Sequence, residues 1–110
     1  MTALLDTNVI VRHLTHDPPS MGHAATRFLS EASELLLTDV IAAETVYVLQ
    51  SFYQVPRPGI AAAMRALIAM RTVRTQHAAT LLRCLDLYEF DKMDFADAYL
   101  VAYAEVNRPR

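Results

Sequence analysis

The sequence has little of what marks secreted, membrane-bound or disordered proteins. Its one cysteine, Cys84, cannot form a disulfide within the chain, which is typical of a protein from a reducing cytoplasm. No apolar run reaches the roughly 18 residues that a membrane span needs. Residues 1–14 lack the basic region that begins a signal peptide, and repeats and long linkers are absent. We therefore expect a soluble, cytoplasmic protein.

The sequence contains enough hydrophobic residues to form the core of one folded domain. Hydrophobic residues make up 54% of the 110 residues and charged residues 20%, a balance typical of a compact globular domain. The formal net charge of −2 lacks the basic excess common in nucleic-acid-binding proteins. It does not exclude that class, because carboxylates gathered around cations would leave the remaining surface less acidic.

Short apolar runs alternate with segments of helical periodicity. The runs predict strands at residues 3–6, 34–38 and 72–75. The periodic segments predict helices at 7–15, 20–32, 40–53, 60–70, 76–88 and 95–106. Strands that alternate with helices imply parallel pairing in a layered α/β sheet. In such sheets reactive groups collect beyond the carboxyl ends of the strands, which is where Asp6 and Thr38-Asp39 are predicted to lie.

Four acidic residues have mainly apolar neighbours in the sequence, namely Asp6, Glu44, Asp94 and Asp97. A charged side chain is seldom fully buried without a partner. Three carboxylates about 5 Å apart would repel one another by roughly 3 kcal/mol per pair at an effective dielectric constant of about 20. Arg12 and Lys92 are the only bases close to these segments in sequence, and two cannot balance four acids. A divalent cation is the more economical counter-charge.

The types of these residues indicate which cation would bind. Oxygen ligands without histidine or cysteine partners favour Mg²⁺ or Mn²⁺ over Zn²⁺. Asp94 and Asp97 are three residues apart, so they can share one helix face and point to the same ion. Each acid also has a structural alternative. Asp6 could cap the following helix, and Glu44 could be solvated on a half-exposed helix. Asp94 could be an N-cap, with Asp97 a first-turn acid favoured by the helix dipole.

Three segments resemble the PIN-domain family, in particular the VapC toxins of toxin–antitoxin pairs. They are LLDTNVIVRHL at residues 4–14, LTDVIAAETVYVL at 37–49 and DFADAYLVAYA at 94–104. Their order and spacing match, and the resemblance spans essentially the whole chain. It implies a single PIN-like (Rossmann-like) three-layer α/β/α domain over residues 1–110. It also implies Mg²⁺-dependent endoribonuclease activity, with Mn²⁺ as the alternative metal, together with dimerisation and inhibition by a cognate VapB-like antitoxin.

The resemblance also assigns roles to individual residues. It implies catalytic roles for Asp6, Glu44, Asp94 and Asp97, of which Asp6, Glu44 and Asp97 bind the metal and Asp94 is accessory. Thr7 and Asn8 match polar positions that hold the first aspartate or a metal-bound water. The family pattern continues past residue 104 into a further strand and a fourth aspartate, whereas this sequence ends at residue 110. We therefore expect the last strands to be missing and the first strand to be a sheet edge.

The resulting hypothesis is metal-assisted hydrolysis of RNA phosphodiester bonds. Asp6, Glu44 and Asp97 would hold one or two Mg²⁺ ions. Asp94 or Asp97 would accept the proton of the attacking water. One alternative is a non-catalytic or truncated PIN scaffold that binds RNA or a protein partner. A second is another Mg²⁺-dependent phosphotransfer enzyme, such as a phosphatase. This is disfavoured because Asn8 stands where the aspartyl-phosphate type usually has a second aspartate.

The remaining polar and sulfur-containing residues point to structural roles. The four histidines, His13, His16, His23 and His77, show no paired metal-binding spacing with cysteine. We expect these histidines to lie at the surface with their hydrogen bonds satisfied, rather than to bind a metal. We expect Cys84, within an apolar helical segment, to be a core or interface residue rather than a nucleophile.

Overall fold

The computed structural model describes residues 2–108. The strands are β1 (Ala3–Leu4), β2 (Leu35–Leu37) and β3 (Val73–Thr75). The helices are α1 (Thr7–Thr15), α2 (Pro19–Glu31), α3 (Asp39–Ser51), α4 (Arg57–Ala69), α5 (Ala78–Phe90) and α6 (Phe95–Val106). Every strand and helix predicted from the sequence is therefore present, with boundaries shifted by at most a few residues.

The largest boundary shift is at the start of α4. The sequence predicts a turn across residues 54–59, whereas the helix begins at Arg57 with Pro56 at its N-cap position. Pro58 lies in the first turn. A proline is tolerated there because the backbone N–H groups of the first turn have no partner within the helix. The last three residues of the predicted turn, 57–59, are thus the first turn of the helix.

The three strands form one parallel sheet in the order β1-β2-β3. Ala3 pairs with Leu35 of β2, and Leu36 pairs with Arg74 of β3. Two helices connect each pair of consecutive strands, as parallel pairing requires. The predicted α/β fold is confirmed, and β1 lies at an edge of the sheet among residues 2–108.

The core forms around the central strand. Leu35 and Leu37 of β2 are 1% and 0% exposed, and they belong to the same buried cluster as Leu5, directly after β1, and Val73 of β3. Helix α1 packs against α2 and α3, whereas α4 packs against β3 and α5. Helix α6 packs chiefly against α5 and also touches α3. These contacts determine where the acidic segments of α3 and α6 lie.

Between residues 2 and 108, no helix combines the length and the apolar character that crossing a membrane requires.

Truncation of Leu37 tests the central position of β2. Leu37→Ala removes a fully buried side chain from the middle strand and should lower the free energy of unfolding by about 3 kcal/mol. Urea denaturation followed by circular dichroism measures this loss. The matched control is Leu4→Ala on β1, where the leucine is 73% exposed and the loss should stay within about 0.5 kcal/mol. Equal losses at the two positions would contradict the packing described here.

Candidate functional site

Polar residues follow all three strands at one edge of the sheet. Asp6 comes after β1, Thr38 and Asp39 come after β2, and His77 comes after β3. The Oγ1 atom of Thr38 accepts the backbone N–H of Ile41 at 3.2 Å and so caps α3. Because the strands are parallel, their carboxyl ends meet at the same edge, which is where open α/β sheets bind ligands.

Asp6 and Asp94 occupy equivalent positions, each directly before a helix. Asp6 precedes α1 and Asp94 precedes α6, and neither side chain makes a capping hydrogen bond. Both residues are exposed. The alternative in which these two carboxylates serve as helix caps is therefore not realised, and their oxygens remain available to another ligand.

Glu44 and Asp97 also face solvent. Glu44 lies in the middle of α3 and Asp97 in the first turn of α6, and both are exposed. The following residues Thr45 and Val46 are 0% and 1% exposed, because successive residues of a helix point to different sides of it. The apolar sequence context of the four acids suggested buried carboxylates, and this is wrong, because all four are exposed. For Glu44 and Asp97 the reason is that their apolar neighbours in sequence occupy other helix faces.

The ion pairs within residues 2–108 involve other acidic residues. They are Arg65 with Asp86 and Glu89, Arg74 with Glu34, His77 with Asp39, and Arg83 with Glu105. In the described part of the chain, no group of three or more Asp, Glu, His or Cys side chains is placed to hold a metal ion together. Exposed carboxylates without a basic partner fit the oxygen chemistry that Mg²⁺ prefers. The structure does not bring Asp6, Glu44 and Asp97 into one such group.

Thr7 and Asn8, which follow Asp6, differ in their exposure. Thr7 is 6% exposed, and its Oγ1 atom is buried without a hydrogen-bond partner among residues 2–108. Asn8 is exposed. A buried hydroxyl without a partner costs free energy, so Thr7 retains an unused donor beside the first aspartate. The role predicted for Thr7, to hold Asp6 or a water molecule, stays a prediction.

Asp39 is the centre of a polar network. It is not one of the site residues predicted from the sequence. Its Oδ2 atom accepts the hydroxyl of Tyr99 on α6 and lies 2.8 Å from Nδ1 of His77. Its Oδ1 atom is buried and has no partner within residues 2–108. Asp39 follows β2 as Asp6 follows β1, and this position is the only sequence signal for it. Its partners are 38 and 60 residues away.

The Asp39 carboxylate also affects the pKa values of Tyr99 and Cys84. Burial, together with the hydrogen bond to Asp39 and its charge, raises the pKa of Tyr99 to about 12. Burial, followed by the charge of Asp39, raises the pKa of Cys84 to about 12. Cys84 is 0% exposed and its Sγ lies 3.6 Å from the carbonyl oxygen of Phe95. It is therefore a core residue, as predicted, and stays a neutral thiol at neutral pH.

Three of the histidines, His13, His16 and His77, have polar partners that fit a structural role. His77 bonds to Asp39, and Nδ1 of His13 lies 2.8 Å from the hydroxyl of Thr26. Burial and the nearby His16 lower the pKa of His13, so this ring stays neutral at neutral pH.

Arg57 connects the start of α4 to the turn that precedes α6. Its guanidinium donates to the carbonyl oxygen of Tyr88 at 2.8 Å and to that of Met93 at 2.6 Å. The guanidinium also lies over the ring of Tyr88, 4.4 Å from its centroid. Met93 directly precedes Asp94, so Arg57 positions the backbone from which α6 and its two aspartates begin.

Replacement of Arg57 tests this positioning. Arg57→Ala removes two hydrogen bonds from a charged donor and should lower the free energy of unfolding by about 2 kcal/mol. Arg57→Lys retains the charge but not the planar guanidinium that lies over the Tyr88 ring, so it should recover only part of the loss. Urea denaturation of the three proteins measures both effects. Full recovery by lysine would show that the charge alone matters, which would contradict the geometry described.

The raised pKa of Tyr99 predicts a loss of stability in alkali. The unfolded chain releases the tyrosine proton near the ordinary pKa of 10.0, whereas the folded chain holds it to about 12. Between these values the unfolded state binds fewer protons, so stability is present below pH 10 and falls as the pH rises. Tyr99→Phe should reduce this fall, measured as the change in urea midpoint between about pH 8 and about pH 11. Tyr47→Phe, at a tyrosine that is 70% exposed, should leave it unchanged; an unchanged fall in both variants would contradict the assignment.

The sequence also matches the model of a known protein family. The family model described as PIN domain matches residues 3–108, which is nearly the whole chain. Comparisons with curated proteins and with solved structures gave no significant match. The matched range includes all three strands and six helices described above, as well as Asp6, Glu44, Asp94 and Asp97. The chain therefore belongs to the PIN-domain family, a nuclease-type fold family whose members are generally hydrolases.

Proposed function

We propose that this protein is a Mg²⁺-dependent endoribonuclease of the VapC toxin type that hydrolyses RNA phosphodiester bonds. The observation that carries the proposal is that Asp6 and Asp94 stand at helix starts without capping them. A carboxylate in that position ordinarily bonds to the first backbone N–H groups of the helix. The chain belongs to a nuclease-type family. Carboxylates that do not stabilise the fold can therefore serve the nuclease reaction.

In this proposal Asp6, Glu44 and Asp97 would hold the metal. When bound, Mg²⁺, or Mn²⁺ in its place, supplies the Lewis acidity that offsets negative charge on the scissile phosphate. Asp94 is exposed and has no ion-pair partner among the described residues, so its carboxylate can accept the proton of the attacking water. Arg57 acts through the backbone of Met93 and positions Asp94 for this step.

The biological setting is part of the same proposal. The resemblance of residues 4–14, 37–49 and 94–104 to VapC toxins supports a cytoplasmic toxin that forms a homodimer and is inhibited by a cognate antitoxin. RNA is then the substrate.

One observation favours a second candidate function. Within residues 2–108 the four acids do not form a group that could hold a metal ion. A PIN scaffold that binds RNA or a protein partner without cutting would need no such group. The two functions differ in whether the carboxylates are required for cleavage, and substitution tests this directly.

Cleavage of a labelled RNA tests the proposed reaction. Mg²⁺ should support cleavage and an excess of EDTA should abolish it. Asp6→Asn and Asp97→Asn each remove one metal-binding charge and should slow cleavage by at least about 100-fold. The rate is measured by gel electrophoresis of the products under single-turnover conditions.

The matched control removes an acidic charge elsewhere on the surface. Glu31→Gln alters an exposed residue at the end of α2 and should leave the rate unchanged. Cleavage that persists in EDTA, or that survives both aspartate substitutions, would overturn the proposed mechanism. RNA binding without cleavage in Mg²⁺ would support the scaffold function instead.

A further inference from the structure

A depression of about 220 Å³ lies between residues 43–51 of α3 and residues 94–96 at the start of α6. Its lining residues include Tyr47 and Gln50 of α3 together with Asp94, and we call it the Asp94 depression. Aromatic, amide and carboxylate groups therefore meet on one surface. Because Asp94 is among the acids proposed for cleavage, a ligand in this depression would lie directly beside the proposed reaction.

Tyr47 gives the depression an exposed aromatic surface. Its side chain is 70% exposed, so most of the ring is free to contact a ligand. Tyr47 follows Glu44 by three residues on α3, and residues at that spacing lie on the same side of a helix. Proteins that bind single-stranded nucleic acids use aromatic side chains in such positions, on which the bases stack. Tyr47 thus offers a stacking surface next to two of the acids proposed for cleavage.

Gln50 gives the same depression a hydrogen-bond donor. Its Oε1 atom accepts the hydroxyl of Tyr88 at 2.6 Å, which fixes which end of the amide is the oxygen. The Nε2 atom carries the two N–H donors of the side chain, and Gln50 is exposed, so these donors can reach a ligand. Phosphate oxygens accept hydrogen bonds, and glutamine side chains are among the groups that contact them in nucleic-acid complexes. Gln50 therefore suits a phosphate next to a stacked base.

The two sides of the depression are held by one pair of residues. Arg57 lies over the ring of Tyr88, 4.4 Å from its centroid, and donates to the carbonyl oxygen of Met93, which directly precedes Asp94. The hydroxyl of Tyr88, a residue that is 0% exposed, bonds to Gln50 on the opposite side. Both sides are thus positioned before a ligand binds, which lowers the entropy lost on binding.

From this geometry we infer that the Asp94 depression is a nucleotide-binding subsite for single-stranded RNA. An RNA base stacks on the ring of Tyr47, and the amide of Gln50 donates to a neighbouring phosphate. Stacking tolerates any base, because every base has a π face, so the subsite positions the strand without reading its sequence. The inference rests on the proposed function for the identity of the ligand as RNA. It adds two substrate-positioning residues to the acids proposed for cleavage.

Fluorescence of a base analogue tests the stacking on Tyr47. The probe is a hexauridylate with one central 2-aminopurine, whose emission falls when the base stacks, bound in Ca²⁺ and checked by gel electrophoresis to be intact. The whole chain should quench the probe. Tyr47→Leu should weaken binding by at least about fivefold and remove most of the quenching, whereas Tyr47→Phe, which keeps the ring, should retain both. The control Phe28→Leu, at an aromatic residue of α2 that is 48% exposed, should change neither.

A second variant tests the donor of Gln50. Gln50→Glu keeps an oxygen for the hydroxyl of Tyr88 but removes the N–H donors and adds a negative charge. It should weaken binding of the probe by at least about tenfold, while the quenching at saturation persists because Tyr47 is unchanged. Gln76→Glu, which adds the same charge at an exposed glutamine outside the depression, should leave the affinity unchanged.

Several outcomes would overturn the subsite. They are a wild-type chain that does not bind the probe, quenching that survives Tyr47→Leu, and an equal loss in Phe28→Leu. A change of oligomeric state on Tyr47→Leu with unchanged quenching would also overturn it, because Tyr47 would then be a contact between copies. Quenching without cleavage in Mg²⁺ would support the subsite and contradict the nuclease. Cleavage at equal rates by the wild type and Tyr47→Leu, with RNA below its KM, would do the reverse.

Discussion

Pairing of β2 on both of its sides holds the sheet together and determines where its polar edge lies. The strand has only three residues, yet it forms parallel ladders with β1 and β3 and contributes Leu35 and Leu37 to the core. Parallel pairing brings the carboxyl ends of all three strands to one edge. Asp6, Asp39 and His77 approach that edge from segments that are far apart in the sequence, so a change in the register of β2 would separate them.

Two kinds of carboxylate occur in the described part of the chain, and they differ in their hydrogen-bond and ion-pair partners. Asp39 is half-buried and shares one oxygen between Tyr99 and His77. That network joins α3, α6 and the segment that follows β3 into one polar contact. The carboxylates of Asp6, Glu44, Asp94 and Asp97 are exposed and have no ion-pair partner in residues 2–108. The first kind stabilises the edge of the sheet, and the second kind is available to ligands.

Much of the fold could be predicted from local sequence patterns, because strands and helices differ in the spacing of their apolar residues. The alternation of strands and helices was sufficient to predict a parallel sheet. The burial of the acids could not be predicted in the same way. Apolar neighbours in sequence surround Glu44, but a helix sends successive side chains to different faces, and Glu44 faces solvent. Long-range contacts such as Arg57 with Met93 and Asp39 with Tyr99 leave no local pattern.

In the nuclease that we propose, Asp6, Glu44 and Asp97 would together bind the divalent cation. Titration of the protein with Mn²⁺, followed by electron paramagnetic resonance of the unbound ion, tests it most directly and does not depend on RNA. The proposed site should give saturable Mn²⁺ binding that Mg²⁺ competes away and that Glu44→Gln weakens by at least about tenfold, while Glu31→Gln leaves it unchanged. Absent binding, or equally strong binding in both variants, would show that these carboxylates do not hold the metal.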